Sequence, residues 1–502
     1  MKHYLGVDIG TFETKGVLVD ETGEIRASAV RPHNMLVPQP GWAEHRPDDD
    51  WWGDFVHVTR TVLGDSGVNA ASIRAVGASA IGPCMLPLDA DGRPLMNAVL
   101  YGVDTRATLE IANLTARIGA ETIFERCANA LTSQSVGPKI LWLQNQRPEL
   151  YRRAAKFLGS TSYLNWRLTG RYTMDHYSAA GSTPLYDAAA QDWTFDLAPE
   201  IARPDQLPSL LWTTDIAGVV SPAAAAETGL APGTPVIAGT IDAAAEALST
   251  GVRRHGDMML MYGSTIFTIM VTAERVRDPR LWYAPWLFAG EHASMAGLAT
   301  SGTLSHWFRH QLARELSAEG AFAALAAEAE ASPPGARGLV FLPYFSGERT
   351  PIHDPDAKGA IFGLNLTHTR GDVYRALFEG IACGTTHIVD TYRAIGKPPA
   401  RVLAVGGGVK NAVWVQATSD IAGLEQTIRR RTIGAAYGDA FLAALGVGDA
   451  RREDIELWNP VERVLAPAGA GAAAYRRQYR VFRALYERTR ELMAALSGAA
   501  PS

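Results

Sequence analysis

The feature that most restricts the fold is an apolar hairpin that occurs twice. Residues Tyr4 to Ile9 form a mostly apolar run, Gly10 and Thr11 supply a turn, and Gly16 to Val19 form a second run. Glu21-Thr22-Gly23-Glu24 then turns the chain into Ile25 to Val30. Short apolar runs bounded by turn residues are the mark of buried strands. The pattern returns as DMMLMYGSTIFTIMVTAERV at 257–276, where one apolar strand runs into Gly263-Ser264-Thr265 and another follows. Each copy has a later partner strand with a small-residue exit: Ile73 to Ser79 in the first half, Arg401 to Gly408 in the second. Such self-similarity predicts a duplicated α/β fold with a cleft between the copies. The meander is not a strand-turn-helix unit. Neither GxxxxGK[ST] nor GxGxxG occurs in the chain, so the P-loop and the dinucleotide fingerprint are excluded.

Length agrees with duplication, since 502 residues exceed one small domain. Lys plus Arg number 47 and Asp plus Glu 52, a net charge of −5 that argues against a dedicated nucleic-acid binder. Cys84, Cys127 and Cys383 are odd in number and far apart, so they form neither a disulfide framework nor a metal knuckle. The N-terminus lacks a basic and then apolar leader, and the most apolar stretches are broken by Gly, Ser and Thr. A soluble cytoplasmic protein with no membrane partner is expected.

Three small-residue sites should lie at cleft-facing strand ends: Asp8-Ile9-Gly10-Thr11 with Lys15, Gly263-Ser264-Thr265, and Gly406-Gly407-Gly408 with Asn411. Without a bulky Cβ in the way, backbone N–H groups can approach phosphate oxygens. Asp8 beside them suits Mg2+, which keeps several waters and takes few protein ligands. By itself such an Asp also reads as a turn cap.

Seven blocks in order give the chain its resemblance to a known family. They are GVDIGTFETKGVLVD, PGWAEHRPDDDWW, KILWLQNQRPELYRRAAKFLGSTSYLNWRLTG, AGTIDAAAEALSTGV, FLPYFSGERTPIHDPDAKGAIFGLNLTHTRGDVYRALFEGIACG, AVGGGVKNAVWVQATSDIAG and GAAYGDAFLAALGVG. The chain resembles the FGGY carbohydrate kinases, in the xylulokinase-like part of the sugar kinase, heat-shock chaperone and actin superfamily. The resemblance implies two duplicated actin-like (ribonuclease H-like) domains, 1–245 with the sugar site and base, and 246–496 with the nucleotide site. It implies ATP and Mg2+ as cofactors and transfer of the γ-phosphoryl group to a hydroxyl of a small sugar or polyol. A homodimer is compatible with this organisation.

Asp242, in Ala-Gly-Thr-Ile-Asp-Ala-Ala-Ala, matches the family's catalytic base. The Ala run behind it favours a helix, at whose start an Asp also serves as a cap. The helix dipole should keep this carboxylate ionised. Thr11 and Lys15 match the first phosphate motif, beside Gly10; Gly263, Ser264 and Thr265 match the second. Gly407 and Asn411 match the adenosine end, and Gly302 lies where the family approaches the nucleotide. Asp104-Thr105-Arg106 matches the Asp-x-Arg of pentulose kinases, with Tyr101 offset by one from the expected aromatic. Trp42 lies in the PGW block. Asp104, Arg106, Tyr101 and Trp42 are the sugar candidates. Gly82-Pro83-Cys84 departs from the Arg-Glu of glycerol kinases and the Met-His of xylulokinases.

A pentulose such as xylulose is the first expectation, and a polyol of the erythritol or glycerol kind the second. A non-kinase actin-like ATPase is the reading from another class. Other residues read as framework. Trp51, Trp52 and Trp142 are core, His306 to Phe308 are helix packing, and Arg429 to Arg431 form a solvated turn. Residues 472–496 form an amphipathic helix, with 497–502 fraying.

Overall fold

The computed structural model describes residues 1–317, 319–469 and 471–497. Its fold class is the expected one: two α/β units, each a mixed sheet with helices. The strands used below are β1 (His3–Ile9), β2 (Glu13–Asp20), β3 (Ile25–Pro32), β4 (Ile73–Ala80), β5 (Ile216–Val219) and β6 (Pro235–Ile237). Later in the chain come β7 (Asp257–Tyr262), β8 (Ile266–Thr272), β9 (Arg401–Val405), β10 (Gln426–Arg429) and β11 (Val461–Leu465). The helices are α1 (Asp54–Ser66), α2 (Val136–Gln146), α3 (Asp242–Ser249), α4 (Gly302–Leu312), α5 (Arg370–Ala394), α6 (Ala412–Ala422), α7 (Ala435–Gly446) and α8 (Ala472–Ser497).

The first unit comprises Met1–Arg253, Thr272–Ala293 and Ile433–Pro460. Its sheet runs β5-β6-β4-β1-β2-β3. β1 is antiparallel to β2 and parallel to β4, so the turn at Gly10 and the exit at Ile81-Gly82 leave the sheet at one end. Thr240–Ile241 also pairs parallel with β4, bringing residue 242 to that end. α1 covers β2 and β3. α7 lies on β1 and β4 and against α3. Most of α7 is buried, consistent with its Ala-rich, almost wholly apolar sequence. Its backbone approaches so closely that a Cβ on Gly77 would strike the carbonyl of Asp439, and one on Gly438 the carbonyl of Ala245.

The second unit comprises Arg254–Val271, Ser294–Thr432 and the chain from Val461 onward. It repeats the core: β7 is antiparallel to β8 and parallel to β9, which is parallel to β10. Its long helix α5 begins in a capping box, in which Thr369 N donates to Asp372 Oδ2 at 2.8 Å.

The expected halves, 1–245 and 246–496, are single runs of chain. The compact units differ because α7, encoded late, buries its apolar surface on β1 and β4 of the first unit. Arg429 also departs from expectation. It ends β10 and is buried rather than solvated. Trp51, Trp52 and Trp142 are buried as expected, and α8 is the C-terminal helix. Of the residues 497–502 expected to fray, Ser497 is the last residue of α8, and 498–502 lie outside the described residues. Cys84, Cys127 and Cys383 are buried free thiols. No helix among the described residues is long and apolar enough to cross a membrane.

Candidate active site

Parallel pairing puts the first unit's chemistry in a row. Asp8 on β1 is level with Ser79 on β4, and Ser79 is level with Thr240. Asp242 follows two residues later as the first residue of α3, with Glu246 one turn on. From above, α7 contributes Asp439, whose Oδ2 accepts a hydrogen bond from Ser79 Oγ at 2.7 Å. Ser79 Oγ also lies 3.4 Å from Asp8 Oδ1. Asp439 Oδ1 is buried and has no partner among the described residues.

Four acids therefore crowd one strand end, and their protonation follows from burial. Asp242 is pushed up to about 7, chiefly by burial, against the Ala243 N–H that donates to Oδ1 at 2.7 Å and with help from Glu246. Burial thus brings the titration of this helix-start carboxyl up to about neutral pH, where part of it is ionised. Asp8 is raised well above the usual range by burial, then by Asp242 and Glu246. Asp439 is raised likewise, with burial the largest cause. Burial also raises Glu246. Asp8, Asp242 and Glu246 keep some solvent-facing surface, so they are crowded rather than sealed.

Such a cluster favours a cation near its strand-end face. No group of three or more acids, histidines or cysteines among the described residues has the spacing of a protein-built metal cage. A cation held mainly by phosphates and water, with one or two carboxylates such as Asp8, fits this donor set. Lys15 is directly across from Asp8 on β2, and its Nζ pairs with Glu13 Oε1 at 2.7 Å.

The sugar candidates separate. Tyr101 reaches the Gly10 turn, its hydroxyl lying 3.1 Å from Thr11 Oγ1. Asp104 and Arg106 instead close on one another. Arg106 Nε and Nη2 donate to Asp104 at 2.9 and 2.7 Å, and Nη2 also to Glu44 Oε1 at 2.9 Å. Asp104 Oδ2 accepts from Ala43 N at 2.7 Å, and Asp104 is fully buried. The Arg106 guanidinium lies 4.0 Å from the Trp42 ring centre and 5.0 Å from that of Trp142. Asp104, Arg106 and the half-buried Trp42 thus form a clamp next to the Tyr101 loop. Lys139 of α2 reinforces it by donating to the carbonyls of Leu100 and Tyr101. The exit after β4 borders a small, mostly apolar cavity whose lining includes Pro83, Cys84, Ile140, Phe157, Met174 and Ile241; no charged side chain lines it.

In the second unit the Gly263-Ser264-Thr265 turn is tied to the start of α4. Ser301 N donates to Ser264 O and Gly302 N to Gly263 O, both at 3.0 Å. Gly302 is needed there, since a Cβ would come within 2.5 Å of Gly263 O. At the exit of the parallel strand β9, a Cβ on Gly407 would meet open space. Asn411 caps α6, its Oδ1 accepting from Trp414 N at 3.0 Å. The two sequence-predicted turns thus share the C-terminal end of β7 and β9.

Glu246, Asp439, Ser79 and Lys139 were not singled out from the sequence. Glu246 had a readable signal, four residues after Asp242 on the same helix face. Asp439 had another: a lone acid in an otherwise apolar helix.

The N-terminal domain of the FGGY family of carbohydrate kinases matches residues 3–249 and its C-terminal domain matches residues 258–447. The chain is 31% identical to a xylulose kinase of Escherichia coli strain K12, over 98% of this chain and 100% of that one. It is 29% identical to a xylulose kinase of Bacillus subtilis strain 168, over 99% of both chains. The crystal structure of xylulose kinase from Rhodospirillum rubrum superposes with a TM-score of 0.91 at 33% identity, covering 98% of this chain and 100% of that one. With a duplicated core, an acid row at one strand end and matches that span nearly the whole chain, the protein belongs to the FGGY family of carbohydrate kinases.

Proposed function

We propose that the protein transfers the γ-phosphoryl group of ATP to a hydroxyl of a neutral pentulose, with xylulose the first substrate to test, and works in the cytoplasm. The observation that carries the mechanism is Asp242, the first residue of α3, set at the same sheet end as Asp8, on the far side of β4 from it. Asp242 Oδ1 is occupied by the Ala243 amide, which leaves Oδ2 to accept the proton of the attacking hydroxyl. A carboxyl with a value of about 7 is well matched to that task, because it can be ionised at neutral pH and still take up a proton readily. Asp8 is the carboxylate for Mg2+, which when bound supplies charge neutralisation and alignment of the phosphates. Gly10, Thr11, Lys15, Gly263, Ser264, Thr265 and Gly302 are the groups proposed for the phosphates, with Gly407 and Asn411 for the adenosine end.

The relatives named above are xylulose kinases, which supports a neutral pentulose as acceptor. Tyr101 and Asp242 are the groups offered to the sugar, while Asp104, Arg106 and Trp42 hold the Tyr101 loop. The deciding experiment measures ADP release against a panel of ketoses, polyols and gluconate. Strong stimulation by D-xylulose or another pentulose is expected. Preference for glycerol or erythritol would replace the pentulose by a polyol, and no stimulation by any member would overturn the reading.

A further inference from the structure

Two histidines outside the proposed catalytic set grip the Gly10 turn from behind. His33 Nε2 lies 3.1 Å from the carbonyl oxygen of Gly10, and His45 Nε2 lies 3.1 Å from that of Thr11. The next carbonyl, Phe12 O, accepts the backbone N–H of His33 at 2.9 Å. Three successive carbonyls thus each have a partner from this pair of residues.

The donor assignment follows from the partners. His45 Nδ1 accepts the indole N–H of Trp51 at 3.1 Å, so its proton sits on Nε2. Burial, with His33 nearby, holds its pKa down at about 4, which keeps the ring neutral. His33 Nδ1 faces Asp54 Oδ2 at 2.8 Å, and its Nε2 faces the Gly10 carbonyl. Asp54 is itself fixed by Arg31 Nε at 2.9 Å and Thr14 Oγ1 at 3.1 Å. The two rings meet edge to face with centres 4.9 Å apart. The side chain of His33 is 3% exposed and His45 is fully buried.

The consequence lies on the other side of each peptide. The 10–11 and 11–12 bonds are trans, so each N–H points opposite to its C=O. Fixing Gly10 O directs the amide of Thr11, and fixing Thr11 O directs that of Phe12. Neither amide donates to a backbone or side-chain acceptor among the described residues. A donor on the carbonyl also polarises the peptide and strengthens its N–H. We propose that His33 and His45 are positioning residues that hold the Thr11 and Phe12 amides as a paired anion receptor for the nucleotide's phosphates.

This inference rests on the kinase reading for the identity of the anion, and its test separates the two. His33→Met and His45→Met remove the donors at similar volume; His33→Gln and His45→Gln keep an amide N–H at the right reach. MgADP affinity is measured by calorimetry, and KM for ATP and for sugar separately by kinetics. Each Met variant is expected to weaken MgADP roughly fivefold to tenfold. KM for the sugar should stay within about twofold, and the Gln variants should recover most of the loss. Folded Met variants that bind MgADP like the wild type would overturn the proposal, and so would Gln variants as weak as Met. If a Met variant fails to fold, His45→Asn, whose amide stops one methylene short, is judged by the same criteria. A wild-type protein that binds MgADP but phosphorylates no sugar would end the kinase reading alone.

Discussion

The two units share a strand arrangement and fill it with opposite chemistry. Beneath the first unit's strand ends lie Asp8, Asp242, Glu246 and Asp439, all raised in pKa, with one carboxylate oxygen of Asp439 left without a partner. The second unit uses neutral groups around β10. Tyr262 Oη donates to Gln426 Oε1 at 2.6 Å, and Gln426 Nε2 donates to Ser419 Oγ at 2.8 Å and Val415 O at 3.0 Å. A satisfied neutral network stabilises the fold, whereas crowded acids oppose it. The acid row of the first unit thus has a satisfied neutral network as its counterpart around β10, while the second unit keeps its own buried acid, Glu348, away from that strand, raised to about 8 by burial.

The largest test of this contrast is Asp242→Asn. It should lower kcat by about a thousandfold or more, with MgADP binding changed little. A loss under tenfold would remove Asp242 as the base. Next comes Gln426→Leu in the neutral network, which leaves the Tyr262 hydroxyl and its neighbours unpaired. Urea titration should show a loss of about 1–3 kcal/mol. An unchanged midpoint would mean that the network contributes nothing.

Asp439→Asn should act in the opposite sense. Its folded-state value is raised, so the stability it contributes is full below the ordinary value of 3.8 and is lost as pH rises through the folded value. In EDTA the Asn variant should therefore be more stable than wild type at pH 8, by about 1 kcal/mol, with the gain shrinking toward pH 5. Equal destabilisation at both pH values would contradict the crowding account. The smallest effect is kinetic. Since Asp242 must be ionised to act, kcat/KM should fall as pH is lowered through an acid limb at or below about 7. Glu246→Gln removes a neighbouring negative charge, so it should move that limb down by a few tenths of a pH unit. A limb unmoved by the change would show that Glu246 does not act on Asp242.

Much of this framework is legible in the chain itself. The apolar runs and their Gly, Ser and Thr turns predict β1, β2, β3, β7 and β8, because strand period and turn chemistry are local properties. Asp242 is readable from its Ala-rich helix and from family resemblance. The position of Asp439 is not, since nothing local says that α7 returns across most of the chain to cover β1 and β4. The pairing of Asp104 with Arg106 is not legible either, since nothing local says that the guanidinium folds back onto the carboxylate two residues earlier. Arg429 misleads because consecutive arginines look solvated until the pairing of β10 places the first of them in the interior. The histidine grip at the Gly10 turn was equally hidden, being made by residues more than twenty positions downstream.

The late return of α7 also sets an order of events during synthesis. A nascent chain emerging from the ribosome can pair β1, β2 and β4 early, but the helix that covers them is encoded by Ala435–Gly446. Until that stretch is translated, the sheet face around Gly77 stays bare and the acid row lacks Asp439. The first unit thus waits for a helix encoded after most of the second unit, and its last acid is delivered late in translation.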